Sequence, residues 1–300
     1  VRTAEKKFLF TGHRGAVYAV CPSAHELSFY TAGSDGYVAR WNWKEHCSEG
    51  ALAKIQAPVF SLFFDAETGY LFAGREDGGV HVIDAIGGKE IKWIQNHAKG
   101  IFDIRAYENR VFFSGGDGKV TVMDRFSLCT LHIISVSAHK VRSVLVHPSE
   151  GSLLTASADG FIRQFSLADY YLRKEWTAHD GATNALAILP EGRLISGGRD
   201  ARLNVWENEE LNLSVPAHNY AVYQIGFYPQ SNRLITCSRD KTIKIWNPET
   251  FEVECRIGRP GADGHKNSVN RFLFLENEQK IITVSDDATV MLWQIAQRNV

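Results

Sequence analysis

No stretch of this 300-residue chain approaches 18 consecutive apolar residues, so no membrane-spanning helix is expected. Val1 to Lys7 is polar and no apolar run of signal-peptide length follows it, so no secretory leader is expected either. Cysteine is scarce. Cys21, Cys47, Cys129, Cys237 and Cys255 are odd in number, widely scattered and never spaced as CxxC. That pattern argues against a disulfide framework and a zinc site, and for reduced thiols in a cytoplasmic protein. Neither sign of charge dominates. Lys and Arg number 33 against 34 Asp and Glu, a net charge of −1. General attraction to a nucleic-acid backbone or an anionic membrane is therefore not expected.

The motifs of small-molecule chemistry are missing as well. There is no Walker A loop, no GxGxxG, no HExxH and no GxSxG elbow. Gly87-Gly88-Lys89 lacks the earlier glycine of a phosphate loop and reads as a hairpin turn. His25, His46, His81, His132 and His147 fall at no repeated ligand spacing, and the nearest Cys–His pair is Cys21 with His25. Cofactor: none; metal: none. Acidic pairs such as Glu209-Glu210 and Asp286-Asp287 lie in turns, where solvation suffices.

What is present is a repeat. A small-residue turn carries an Asp, and a bulky apolar residue follows six positions on. The Asp residues are Asp35, Asp77, Asp117, Asp159, Asp200, Asp240 and Asp287, spaced by 42, 40, 42, 41, 40 and 47. The residues six further on are Trp41, Ile83, Met123, Phe165, Trp206, Trp246 and Trp293. A period near 40 covering the whole chain means an array of one supersecondary unit. Such units bury a face only by stacking, so residues 1–300 are read as one domain despite a length that could hold two.

Within each unit the hydrophobic pattern has period two, or is a short apolar run closed by turn residues. In the sixth unit Val222–Phe227, Arg233–Ser238, Thr242–Trp246 and Phe251–Ile257 read as four strands. Ile243 and Ile245 alternate with Thr242, Lys244 and Trp246, which leaves the Trp on the other face in need of its own partner. No helix is expected; the fold class is all-β. A His stands roughly 20 residues before nearly every Asp: His13, His97, His139, His179, His218 and His265. The second unit has Ala57-Pro58 instead. A Ser or Thr stands four before five of the Asp residues: Thr31, Thr155, Ser196, Thr236 and Thr283.

With Gly12-His13, Gly264-His265, Trp41-Asn42, Trp206-Glu207, Trp246-Asn247 and Ile83-Asp84 at the family's signature positions, the whole chain resembles a WD-repeat β-propeller. The resemblance implies seven four-stranded antiparallel blades around a channel. The last unit stops one strand short, and Lys6–Phe10 offers a spare one, so the N-terminal strand is expected to complete the last blade and remove exposed edges. The resemblance also implies a hydrogen-bonded chain from Trp through Ser/Thr and His to Asp. Four units hold complete sets: His13/Thr31/Asp35/Trp41, His179/Ser196/Asp200/Trp206, His218/Thr236/Asp240/Trp246 and His265/Thr283/Asp287/Trp293. A hydrolase triad would use the same residue types, but recurrence in four units favours structural bonding. Unit four keeps His139, Thr155 and Asp159 with Phe165. Unit three has His97 and Asp117 with Phe113 and Met123, and unit two keeps only Asp77. Blades two and three are expected to be the least well tied.

Loops on a rigid scaffold are then the natural binding site. In this family the Asp turn and the His loop lie on one rim. Expected there are Tyr18, Phe60, Phe102, Arg142, Asn184, Tyr223 and Asn270, one residue into each inner strand. With them come Ser34, Glu76, Gly116, Ala158, Arg199, Arg239 and Asp286, each before its Asp. Aromatics on blades one to three and arginines on four to six suit a peptide with apolar and acidic groups. Arg256 and Arg259, around the long loop before His265, add to the basic side. The expected function is a non-catalytic protein-interaction scaffold for a protein or peptide partner, as a monomeric propeller or a subunit of a hetero-complex. The alternatives are a binder of phosphopeptide or RNA through these arginines, and a propeller enzyme with its site in the channel.

Overall fold

A strand that alternates Ile with Trp has two apolar faces, and both must leave water. The structure is a computed structural model, which describes residues 2–258 and 264–297. Its strands form seven four-stranded antiparallel sheets. Blade one comprises Val17–Pro22, Ser28–Gly33, Tyr37–Asn42 and Cys47–Lys54. Blade two follows with Val59–Asp65, Tyr70–Arg75, Gly79–Asp84 and Glu90–Gln95, and blade three with Ile101–Tyr107, Arg110–Gly115, Lys119–Asp124 and Thr130–Ser135. Blade four is Val141–His147, Ser152–Ser157, Phe161–Ser166 and Leu172–Thr177. Blade five is Thr183–Ile188, Leu194–Gly198, Arg202–Glu207 and Glu210–Pro216; blade six is Val222–Tyr228, Arg233–Ser238, Ile243–Trp246 and Val253–Ile257. Blade seven takes Val269–Leu275, Lys280–Ser285 and Val290–Gln297 from the C-terminal end, and Arg2–Phe10 from the start. This is a seven-bladed β-propeller closed by its N-terminal strand. That strand is longer than the sequence pattern suggests, pairing from Arg2 opposite Gln297 to Phe10 opposite Val290.

The chain packs as two compact units, residues 18–177 and residues 1–17 with 178–300. In each, the core lies between successive blades. In the second unit Ile243 and Ile245 of blade six meet Phe272, Phe274 and Trp293 of blade seven. On the opposite face of the same strand, Trp246 packs with Ala185, Ile195 and Val205 of blade five. The same arrangement recurs in residues 18–177. Ile83 sits against Tyr30 and Val38 of blade one, Met123 against Phe72 and Val82 of blade two, and Phe165 against Phe112 and Val122 of blade three. In these five blades the bulky residue six positions after the Asp thus seats in the junction with the preceding blade. Each such fully buried side chain contributes about 1.5–3 kcal/mol. Pro148–Glu150 and Glu276–Glu278 are single helical turns.

The turn that carries the Asp is held the same way in all seven blades. The carboxylate accepts the backbone N–H two residues on: Tyr37, Gly79, Lys119, Phe161, Arg202, Thr242 and Thr289, at 3.0–3.4 Å. The residue between takes a positive φ every time, as Gly in blades one to four and as Ala201, Lys241 and Ala288 in five to seven. Local side-chain bonding of this kind is what Asp offers a turn. At Gly118 the demand is double, since its φ is 84° and an added Cβ would lie 1.8 Å from the Ser137 carbonyl oxygen.

Two outcomes follow for thermal melts. Removing residues 1–11 strips blade seven of its outer strand and should lower the melting temperature by on the order of 10 °C or more; an unchanged value would contradict the closure. Gly118→Ala should destabilise strongly, whereas Ala201→Gly, at a position already left-handed, should be neutral or mildly stabilising.

Candidate partner-binding rim

The rim is positioned by the repeated Asp, which reaches beyond its own turn. In blade five His179 Nδ1–H donates to Asp200 at 2.9 Å, and the Asp180 N–H donates to the same carboxylate at 3.2 Å. On the other side of the ring the Ser196 hydroxyl donates to His179 Nε2 at 2.8 Å, and Trp206 Nε1–H donates to Ser196 Oγ at 2.9 Å. Blade six repeats the chain through Trp246, Thr236, His218 and Asp240 at 2.9, 2.8 and 3.0 Å. Blade seven does so through Trp293, Thr283, His265 and Asp287 at 3.0, 2.7 and 3.2 Å. In blade one Trp41 Nε1–H donates to Thr31 Oγ1 at 2.7 Å; His13 belongs to the other unit and Asp35 holds its own turn. A carboxylate only accepts, so each of these imidazoles carries a proton on Nδ1. The hydroxyls are buried and spent on these bonds, which removes the exposed nucleophile a hydrolase triad needs.

Electrostatics follow the same geometry. Burial alone would raise the Asp240 carboxyl, but hydrogen bonds from His218, Thr242 and the Asn219 amide outweigh it and hold it below the usual carboxylate range. Asp287 and Asp200 are lowered in the same way. Burial lowers the His218 imidazole despite Asp240 beside it. The two directions agree on a His218 that donates Nδ1–H to an ionised Asp240. Protonating His218 would force Nε2–H toward a hydroxyl that already accepts from Trp246.

Blades two to four depart from the pattern in ways the His spacing concealed. In blade three His97 Nδ1–H still donates to Asp117 at 2.8 Å, and the hydroxyl on Nε2 comes from Thr121 at 2.9 Å. The expectation that blade three is poorly tied is corrected by that substitution of partner. Met123 has no N–H, so no hydroxyl is needed at position 113. Blade four corrects another reading. His139 is exposed, and its place is taken by Ser137, whose hydroxyl donates to Asp159 at 2.7 Å. Ser157 and Arg163 complete the shell around Asp159, and Thr155 faces the Arg163 carbonyl. The missed signal is distance to the inner strand. His97, His179, His218 and His265 stand four residues before it, while His139 stands two before Val141 and Ser137 stands four. In blade two Asp77 pairs with Arg75, whose guanidinium lies 4.7 Å from the Trp93 ring centre. His81 packs 4.4 Å from the same ring and bonds Glu90. Thr121, Arg163, Asn204 and Lys244 all lie two before the Trp position and reach into the His loop or the Asp turn, a position that alternation alone does not single out.

The inner strands carry the rim side chains on bulges. Pairing with the second strand skips one residue in blades two to seven: Phe60, Phe102, Arg142, Asn184, Tyr223 and Asn270. A bulge leaves its extra residue out of the ladder and re-aims its side chain. In residues 18–177 this produces a row. The Tyr18 and Phe60 rings meet edge to face at 5.4 Å, Phe60 and Phe102 stack at 5.7 Å, and the Arg142 guanidinium caps Phe102 at 4.5 Å. Lys140 Nζ lies 5.7 Å from the same ring. Phe60 lies across Gly100 and Phe102 across Gly116, each ring edge within 3.0 Å of where a Cβ would stand.

In the other unit the bulge positions are used differently. Asn184 donates to the Val222 carbonyl at 3.0 Å and Asn270 to the Val17 carbonyl at 2.9 Å, so both tie blades together. Tyr223 offers its carbonyl to Arg271. Arg199 and Arg239 are exposed, anchored by backbone bonds to Ala182 and Ala221. Arg259 lies outside the described residues. Cys21 and Cys237 are buried, and burial pushes the Cys237 thiol up to about 12. Among the described residues no His, Cys, Asp and Glu cluster could hold a metal ion, and no helix is long and apolar enough to cross a membrane.

Ser196→Ala should remove the partner of both Trp206 and His179 and lower stability by about 2–4 kcal/mol, read as a fall in melting temperature. Because the folded-state value of His218 is depressed, its contribution is present at neutral pH and is lost as pH falls through about 6.5. The depressed carboxylates add a second loss below about pH 4. A melting temperature flat from pH 7 to 5 would contradict the neutral imidazole.

The family model "WD domain, G-beta repeat" matches residues 4–42, 130–166, 171–207, 209–247 and 259–294, and leaves out 43–129, where blades two and three lie. The chain is similar to Striatin-4 of Mus musculus, 28% identical over 170 residues that cover 48% of this chain and 22% of that protein. It is similar to Nuclear distribution protein nudF of Aspergillus niger, 24% identical over 313 residues, 96% of this chain and 61% of that one. The chain thus spans less than two thirds of either relative. The WD40 β-propeller domain of Doa1 superposes with a TM-score of 0.86 at 20% identity, covering 97% of this chain and 96% of that domain. Five matched repeats covering more than half of the sequence, on a seven-bladed propeller, place this chain in the WD-repeat family.

Proposed function

We propose that this chain, as one propeller domain, is a non-catalytic protein-interaction platform whose principal docking surface is the row Tyr18, Phe60, Phe102 and Arg142. The observation that supports it is a continuous aromatic series along successive inner strands, ending in two cations, where Asn184 and Asn270 tie blades in the other unit. WD-repeat propellers generally serve as interaction scaffolds, and the buried hydroxyls of the repeated sets favour that role over catalysis here. Rings fixed on strands by flanking glycines lose little freedom on binding, which is what makes aromatic and Arg side chains effective anchors. The partner that fits is an extended peptide or loop with apolar side chains over Tyr18 and Phe60 and a carboxylate near Arg142 and Lys140. Arg199, Tyr223 and Arg239, and Arg259 in the long loop, belong to the same proposal as further contacts.

Affinity capture from source lysate should retain a set of proteins on the native chain that a Phe60→Ala/Phe102→Ala/Arg142→Ala variant loses, with the variant's melting temperature checked alongside. Retention of the same proteins by both would sink the rim assignment.

A further inference from the structure

The outermost strand of every blade exposes one edge, and soluble proteins blunt such edges with charge, Pro, Gly or a bulge. Six of the seven here carry a charged residue: Arg2–Phe10, Cys47–Lys54, Glu90–Gln95, Leu172–Thr177, Glu210–Pro216 and Val253–Ile257. Thr130–Ser135 of blade three, with the sequence TLHIIS, holds no charge, Pro or Gly. The uncharged run extends from Phe126 to Ala138. It is rich in β-branched and aliphatic residues, the composition that pairs most readily with another strand.

The strand's two faces differ. His132 stacks on Tyr170 of blade four at 5.1 Å and Ile134 is buried, which fixes one face. On the other, Leu131 and Ile133 are 52% and 42% exposed. The strand is terminal in its sheet, so its outer edge has no partner strand among the described residues. Every outer strand carries a bulge, so bulging does not set one apart from another; the residue left out is an aliphatic in blades one to three, Leu52, Ile91 and Leu131, and Lys7, Arg173, Asn212 or Glu254 in the others. At the tips of the outer hairpins of blades two and three Ile86 and Phe126 are also exposed, and Lys92 Nζ ties the hairpins together through the Leu128 carbonyl at 2.6 Å. The nearest cation before the run, Arg125, is engaged with Asp65 and Glu67.

We infer that Thr130–Ser135 is a strand-addition edge whose occupant is a second copy of this chain. Antiparallel pairing about a two-fold axis at His132 sets Leu131 of each copy opposite Ile133 of the other, on one face. The exposed aliphatics thereby become two cross-strand pairs, and the two blades become one eight-stranded sheet. An isologous contact of this kind needs a self-complementary patch, and an uncharged one satisfies that without opposing charges. The net charge of −1 supplies no general repulsion between copies.

Sedimentation equilibrium on the native chain should show a mass rising with concentration from 33.6 kDa toward twice that value. Leu131→Lys/Ile133→Lys should hold the mass at that of one chain. Leu211→Lys/Leu213→Lys should leave association intact, because that equally exposed outer strand is flanked by Glu207, Glu209 and Pro216. Should the lysine pair lower the melting temperature, Leu131→Thr/Ile133→Thr carries the same comparison. Amide exchange of 130–135 should slow as concentration rises while that of 210–216 does not. A native chain that stays single at its highest soluble concentration, or an unchanged association in the lysine pair, overturns the inference.

Discussion

One carboxylate per blade carries the organisation of this protein. It accepts the amide two residues on and so fixes a turn whose next residue must be left-handed. In four blades it also holds the His and the following amide of the loop that enters the inner strand. The turn and the loop are thereby locked as one rim element. Because a buried Asp can act so only while ionised, its hydrogen bonds must exceed the cost of its burial, and the depressed carboxylates show that they do.

The Trp–Ser/Thr–His chain is a consequence of packing rather than an addition to it. A large side chain is required where each blade meets the preceding one, and an indole filling that space brings an N–H that must be satisfied. Where Ile83 or Met123 fills it, no hydroxyl is needed beneath, and Ala73 and Phe113 stand there instead. Those blades are released from one constraint and vary in others. Blade two builds a cation–π cluster on Trp93, and blade three recruits Thr121. Blade two carries Phe60 of the aromatic row and an outer bulge at Ile91, and blade three carries Phe102 and an outer bulge at Leu131.

Much was legible beforehand because period and alternation are local. The seven Asp turns, the four-strand unit and the spare N-terminal strand can all be read from spacing, and each is present in the structure as a strand or turn. His139 shows where that reading stops. Its distance from Asp159 resembles that of His97 from Asp117, yet the loop is fixed by its distance to Val141, so Ser137 meets the carboxylate. Counting from one anchor cannot reveal which of two anchors the chain obeys.

The sequence by itself determined the number of units, their strands and the residues that must be buried, because hydrophobic period and turn chemistry act over a few residues. It could not determine that Asn184 and Asn270 tie blades while Phe60 and Phe102 form a stacked row on Gly100 and Gly116. Nor could it separate Thr130–Ser135 from the other outer strands by accessibility. Those distinctions depend on which side chains meet across blades some 40 residues apart, and only tertiary packing sets those distances.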